Sequence, residues 1–519
     1  MKTRNRDRAG SRRGETSGLR AGILALLLGL LAAVGCGGNG GGRAETATVP
    51  GAGHSAAASG SARYNVVLIS IDTLRADHLG LYGYAPPTSP RLDAFARRAV
   101  VFTNCRAPSG HTLASHKTML SGRLTSAFLA AYSAAGGPAR PTSSAVAYYQ
   151  GALHGWVSPP LSRRLGQAGL FTLGLTDGGF LQPEFGFGEG FDEYRSVRAG
   201  IARQRSKAED WIEGHPDRRF FLFLHGYDVH CPYDPPPEYL RRFEATCTGR
   251  LRFDGTCGKE YFNTLQLTPP EKEHIRRHYD AGILHADDEV GKFLDFLERQ
   301  GRLADTVIVI TSDHGESLGE REFVGHGELY ENQLRVPLLV YVPGVAAGRV
   351  ELPVSGIDVT PTILDLATGV APTDLDGWSL RALMEGAAGS PSGGSHTESR
   401  SPAHPASDFE ARPRLAAITV NEGRKYLTRL RKVVVIENRY KLIADLESGT
   451  AQLFDLERDP QESKDLSRVE RETMARLLGL ARAHDPGPLR GFDATGKTKG
   501  DEALTPEMLE ELKSLGYAN

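Results

Sequence analysis

The sequence predicts an α/β protein with a large, mostly parallel central sheet sandwiched by helices, followed by a small antiparallel α+β lobe. Three observations predict it. Short β-branched or apolar runs alternate with helical stretches over residues 63–384. Polar residues of chemical interest stand directly after those runs, where open α/β sheets place their ligand sites. Beyond residue 412, three short runs follow one another closely, as antiparallel strands do.

In chain order, residues 1–36 hold a basic start, an apolar run over 21–35 (AGILALLLGLLAAVG) and Cys36. This is the layout of a cleavable export signal, and the run is short for a membrane span. Its end, Ala33-Val34-Gly35-Cys36, resembles the bacterial lipobox. That implies an exported chain whose Cys36 carries lipid, anchored to a bacterial cell envelope on its periplasmic or outer-surface side. A plain signal peptide that happens to contain a cysteine is the alternative. Residues 37–62, rich in Gly and Ser, offer nothing to bury and read as a flexible tether. The main domain, 63–384, carries buried strands at Asn65–Ile71, Phe171–Leu175, Phe220–Leu224, Val307–Ile310 and Pro337–Val342. Helices are expected at Pro90–Arg98, Ser162–Ala168, Asp287–Gln300 and Thr360–Ala367. Residues 385–412, rich in Gly, Ser, Pro and His without periodicity, read as a long loop with solvated histidines. The lobe at 413–485 has strands Lys432–Ile436, Tyr440–Ala444 and Ala451–Asp455 and a helix around Val469–Arg482. In the tail, 486–519, Thr505 before Pro506 forms an N-cap with Pro in the first turn.

Composition narrows the function. With 519 residues and 40% apolar content, the chain has material for a large core. Its 61 Lys and Arg against 63 Asp and Glu leave a net charge of -2, so no basic field exists for nucleic acid. After Cys36 the cysteines are Cys105, Cys231, Cys247 and Cys257, and an export signal places them in an oxidising compartment. Cys247 and Cys257 are close enough in sequence to close a small loop, and Cys105 reads equally as a buried thiol.

Three segments carry chemistry. Residues 65–72, NVVLISID, form a buried strand that delivers Asp72 to its carboxyl end, where a carboxylate ligates a cation or caps a helix. Residues 310–316, ITSDHGE, repeat the pattern with adjacent Asp313 and His314, able to face one metal; an incidental surface turn is the alternative. Residues 108–122, PSGHTLASHKTMLSG, run from a loop into a helix starting near Thr112. A hydroxyl at a helix N-terminus suits attack on an oxyanion ester, although it also serves as a plain cap.

Together the three segments resemble the sulfatase family of the alkaline phosphatase superfamily, over most of residues 63–519. Sulfatases carry Cys or Ser, any residue, Pro, Ser, Arg, ending in Thr-Gly, with the first residue converted to formylglycine. Aligning Ser121-Gly122 with that ending puts Thr112 at the nucleophile, Ala114 at the Pro and His116 at the Arg. Thr cannot become formylglycine by that route. It resembles instead the nucleotide pyrophosphatase and phosphodiesterase branch, whose Thr attacks phosphorus directly. Residues 186–192 (GFGEGFD), the stretch from Leu329 to Leu338, Asp376-Gly377-Trp378 and Leu453-Phe454-Asp455 look like family scaffold.

The resemblance implies hydrolysis of a sulfate or phosphate ester through a covalent Thr112 intermediate. One divalent ion would be held by Asp72, Asp313 and His314 with Thr112, zinc or manganese suiting the His ligand better than calcium. His116, Lys117, His230 and His326 would neutralise the ester oxygens. Asp228 with His230 and His326 is a candidate for a second metal. The expected partner is a small-molecule, glycan or lipid ester, with membrane contact only through the N-terminal lipid. A surface-tethered binding lipoprotein that keeps the fold without turnover is the rival reading; intact metal ligands separate the two.

Overall fold

The computed structural model describes residues 62–134, 153, 155–243, 251, 253, 262–263, 265–387, 404, 408–409, 412, 414–419, 432–446 and 448–483. The export signal, lipobox, tether up to residue 61, tail helix, Cys247 and Cys257 lie outside the described residues; Ala62, expected to end the tether, is instead buried, with its amide donating to the Ala168 carbonyl. Among these residues no helix is long and apolar enough to cross a membrane.

Fifteen strands are described. They are β1 (Asn65–Ile71), β2 (Val100–Arg106), β3 (Phe171–Thr176), β4 (Glu193–Ser196), β5 (Phe220–Gly226), β6 (Thr306–Thr311), β7 (Ser317–Leu318), β8 (Val324–Gly325), β9 (Arg335–Tyr341), β10 (Gly348–Val350), β11 (Val354–Ser355), β12 (Arg414–Thr419), β13 (Lys432–Glu437), β14 (Tyr440–Asp445) and β15 (Ala451–Asp455). The main sheet runs β10-β2-β9-β6-β1-β5-β3-β4, with β11 also on β2. Only β9 is antiparallel to its neighbours, β2 and β6. β1 is buried along its whole length because a central parallel strand is covered on both faces. Its side chains alternate between two cores: Val66 and Leu68 enter one, and Val67, Ile69 and Ile71 the other.

Strand β2 is absent from the sequence prediction. Its run, VVFTNCR, breaks into polar residues at Thr103 and Asn104, where its pairing with β9 shifts register. The expected helix Asp287–Gln300 is the last part of a 31-residue helix, Pro269–Arg299, opened by a capping box between Thr268 and Glu271. Gly282 interrupts its helical signal, and packing explains the residue: a Cβ there would press on the Asp228 carbonyl oxygen at 2.8 Å.

The C-terminal sheet, β12-β13-β14-β15, is antiparallel throughout. Val434, Ile436, Ile443 and Phe454 point into the main core, while Val433, Val435, Leu442 and Leu453 pack on Leu477 and Ala481 of the helix Arg471–Ala483. Between sheets, the helix Arg381–Ala387 runs past the expected loop start. His404, expected in solvent, stacks on Trp378 at 3.9 Å, and Phe409 is fully buried beside it. An aromatic partner was available and bare solvation gains nothing over it. Cys105 and Cys231 are buried.

Candidate functional site

Parallel register brings the site together. Ser70 on β1 lies level with His225 on β5 and with Thr311 on β6. Asp72 and Asp313 each follow two residues later, so both carboxylates emerge at the same height from adjacent strands. Thr73, at φ 58°, turns the chain sharply after Asp72. At Gly315 a Cβ would run into the Asn332 carbonyl oxygen, so only glycine lets the turn after His314 close.

Asp72, Asp313 and His314 are wholly buried, and their ligand atoms lie within 4.8 Å of one another. Thr112, the first residue of the helix Thr112–Ser121, joins them. Its Oγ1 is 3.4 Å from Asp72 Oδ2 and 3.2 Å from His314 Nε2. His314 Nδ1 donates to the Gly315 carbonyl at 2.9 Å, which leaves the lone pair on Nε2 facing the carboxylates. Asp313 Oδ1 accepts from the Thr73 amide at 3.4 Å, and Asp313 Oδ2 and Asp72 Oδ1 receive no hydrogen bond. Two buried carboxylate oxygens without a donor and an imidazole lone pair are a donor set that fits a divalent cation. Electrostatics agree. Burial, then the Asp313 and Glu316 charges, push the Asp72 carboxyl well up.

Beside this group lies a second buried set, His230, Glu316 and His326, again with ligand atoms within 4.8 Å. The His326 ring is 4.4 Å from that of His314 and 5.0 Å from that of His230.

The sulfatase family model matches residues 64–152 and 202–370, the segments that carry both sets. The chain belongs to the sulfatase family. It is 30% identical over 242 residues to a choline-sulfatase of Rhizobium meliloti, covering 45% of this chain and 41% of that protein. An arylsulfatase of Clostridium perfringens is 29% identical over 184 residues, 33% of this chain and 38% of that one. The chain thus spans less than half the length of these curated relatives. A phosphonate monoester hydrolase of Agrobacterium radiobacter shares the fold, with a TM-score of 0.62 at 19% identity over 81% of this chain and 96% of that one.

Within this sulfatase-family site, the nominated residues divide. Asp72, Thr112, Asp313 and His314 converge, and His230 and His326 meet next to them. Asp228 does not join them. Its carboxylate accepts from the Ile201 amide at 2.8 Å, at the start of the helix Gly200–Gly214, and faces His285 at 3.3 Å. Two residues before His230 in the turn after β5, Asp228 is aimed away from it, and Glu316 takes the place expected for Asp228. Lys117, five residues along the helix from Thr112, points elsewhere: its ammonium sits 3.9 Å over the Trp156 ring and 4.8 Å over Phe187. Burial there pulls it down to about 7. His116 faces the site but as a neutral ring. Its Nδ1 donates to the Thr112 carbonyl and its Nε2 accepts from Ser70, both at 3.0 Å, and burial holds it below the ordinary histidine range. Both ring nitrogens are thus engaged within the protein, and Nδ1 also lies 3.5 Å from Asp313 Oδ2.

Sequence reasoning passed over two residues. His225 Nε2 lies 3.3 Å from Asp72 Oδ2, and burial keeps the ring neutral. Its signal was present, a polar residue closing an otherwise apolar buried strand. Glu316 follows Asp313-His314-Gly315 directly, and a carboxylate so close to Asp313 and His314 was the available clue.

Proposed function

We propose that this chain hydrolyses phosphate or sulfate esters with Thr112 as nucleophile, and that phosphodiesters or phosphonate esters are turned over faster than aryl sulfates. The observation that carries the reading is the Thr112 hydroxyl at a helix N-terminus, within 3.4 Å of Asp72 and 3.2 Å of His314. A divalent ion bound by Asp72, Asp313 and His314 would lower the pKa of that hydroxyl and offset ester charge. Zinc or manganese suits the His ligand; calcium is the third candidate.

Thr112 loses its proton to solvent as Oγ1 bonds to phosphorus or sulfur, and the bridging oxygen leaves with the electron pair of the broken bond and takes up a proton. Water then attacks the Thr112 ester, restoring the hydroxyl and releasing the acid. His116 holds the Thr112 carbonyl, and so the first turn, throughout. A formylglycine hydrate expels sulfate with its second hydroxyl, which Thr112 lacks. The route therefore depends on water attacking the ester, which suits phosphorus better than sulfur. A phosphonate monoester hydrolase among the proteins of this fold is consistent with that preference.

The test is kcat/KM for purified protein on an aryl sulfate, a phosphate monoester, a phosphodiester and a phosphonate ester, each with zinc, manganese and calcium. Phosphodiester or phosphonate turnover above aryl-sulfate turnover is the expected result; aryl-sulfate hydrolysis that survives Thr112→Ala overturns it. Export and anchoring through Cys36 form a separate proposal, supported by the order of basic, apolar and Ala33–Cys36 segments. Mass spectrometry of the mature N-terminal peptide decides it, and an unmodified Cys36 rejects it.

A further inference from the structure

Tyr227 opens the turn after β5. Gly226 pairs with Ile71 across β5 and β1, and its carbonyl accepts from the Asp72 amide at 3.0 Å, so Tyr227 stands level with Asp72. The Tyr227 amide donates to Asp177 Oδ2 at 3.2 Å and its carbonyl accepts from the His230 amide at 3.0 Å, which fixes the backbone here. The ring is held as well. It meets His225 edge-on at 4.7 Å and His230 at 5.4 Å, between the imidazole that backs Asp72 and one of the second buried set.

A side chain so firmly placed ends in a hydroxyl that nothing in the fold uses. Tyr227 is 5% exposed, its hydroxyl proton has no acceptor among the described residues, and the Phe180 amide is the backbone donor turned toward the oxygen. Buried hydroxyls are normally paired, and one left without an acceptor costs the folded chain stability. An oxygen of a bound ligand supplies the missing acceptor. Burial, then the Asp72 and Asp313 charges, push the phenol well above its ordinary range, so those carboxylates are the charges it feels most. Thr112 Oγ1 stands 3.4 Å from the same Asp72. In an in-line displacement the leaving oxygen lies on the far side of phosphorus or sulfur from the attacking Oγ1. The ester oxygens nearer the nucleophile, on the side of Asp72 and Tyr227, are the non-bridging ones.

We infer that the Tyr227 hydroxyl donates a hydrogen bond to a non-bridging oxygen of the bound ester, and so recognises the oxyanion and not the leaving group. The inference rests on the proposed function, in that it takes this site to bind an oxyanion ester. Tyr227 keeps its proton throughout: a fixed donor of this kind gains strength as negative charge gathers on the oxygen it faces, and it needs no rearrangement to do so.

The test compares the full chain with Tyr227→Phe, both loaded with manganese and freed of excess metal, and uses inorganic phosphate as the probe. Phe keeps the ring and its contacts with His225 and His230 and removes one oxygen. Calorimetry should show phosphate bound about 10- to 100-fold more weakly by the variant, the loss expected for one hydrogen bond to a charged group. Circular dichroism and manganese content should match the parent, and the melting temperature without phosphate should equal or exceed the parent's, because an unpaired hydroxyl is no longer buried. A residue that only packs would leave phosphate affinity unchanged. On the 4-nitrophenyl and phenyl esters of one phosphonate, kcat/KM should fall by the same factor, since a non-bridging oxygen is the same in both. Equal phosphate affinity in the two proteins, a parent that binds no phosphate, loss of fold or manganese in the variant, or a fall confined to the phenyl ester overturns the inference. Weaker phosphate binding by the variant, with no ester hydrolysed by either protein, would leave the inference standing and remove the proposed function; ester hydrolysis with equal phosphate affinity would do the reverse.

Discussion

Thr112 and Lys117 lie five residues apart on one helix and experience opposite environments. Thr112 opens the helix among Asp72, His314 and the first-turn amides, where the proposed reaction requires its hydroxyl. Thr112→Ala should lower kcat/KM by about three orders of magnitude or more, with metal content and melting temperature near those of the parent. Thr112→Ser should keep measurable turnover, because it retains the hydroxyl. Lys117 is buried against Trp156 and Phe187, and burial moves it from its ordinary 10.5 to about 7. Between those values the unfolded chain holds this proton and the folded chain has shed it. Unfolding then takes up a proton, so this residue makes stability rise with pH through that window. Thermal melts of the parent and Lys117→Met at about pH 7 and pH 10 check the sign: the rise attributable to this group should be missing in the variant.

At the scale of elements, the site is made by turns at the ends of β1, β5 and β6, and the turns after β1 and β6 each have their own device. After β1 it is the positive φ of Thr73, whose carbonyl accepts from the Tyr279 hydroxyl at 2.7 Å and is thereby held. After β6 it is Gly315, packed against the Asn332 carbonyl oxygen. Gly315→Ala has to push β6's turn away from the helix Glu331–Leu334, and overpacking of this kind costs about 1–3 kcal/mol. The displaced turn carries Asp313 and His314. Denaturant melts should show that loss of stability, and metal titration should show weaker binding in the same variant. Unchanged metal affinity in Gly315→Ala would mean that the turn does not set the ligand geometry.

Across the whole molecule, the C-terminal sheet is tied to the main domain by buried charge as well as by shared core. Lys441 on β14 is fully buried, with Nζ 3.0 Å from Glu331 Oε1 and 2.7 Å from Glu462 Oε1, and Arg106 on β2 holds Glu331 from the other side at 3.0 Å. Removing Lys441 leaves the buried Glu462 with only Arg321 at 3.9 Å and Glu331 with Arg106 alone, so Lys441→Met should destabilise by about 3–5 kcal/mol in denaturant melts. Glu331 opens the short helix that leads into β9, so the same network braces the antiparallel strand of the main sheet. None of this was legible beforehand, because Lys441 in YKLIAD reads as an ordinary outward-facing position. What the sequence determined by itself was local: buried runs ending in Asp72 and Asp313-His314, a helix beginning at Thr112, and the alternation that makes an α/β sheet. Those signals are periodicity and punctuation, which act over a few neighbouring residues. Only the tertiary structure decided that Asp228 turns away while Glu316 joins His230 and His326, that His225 backs Asp72, and that Lys117 leaves the site. Each of those depends on strand register and on which way a turn aims one side chain, and both are set by packing between segments far apart in the chain.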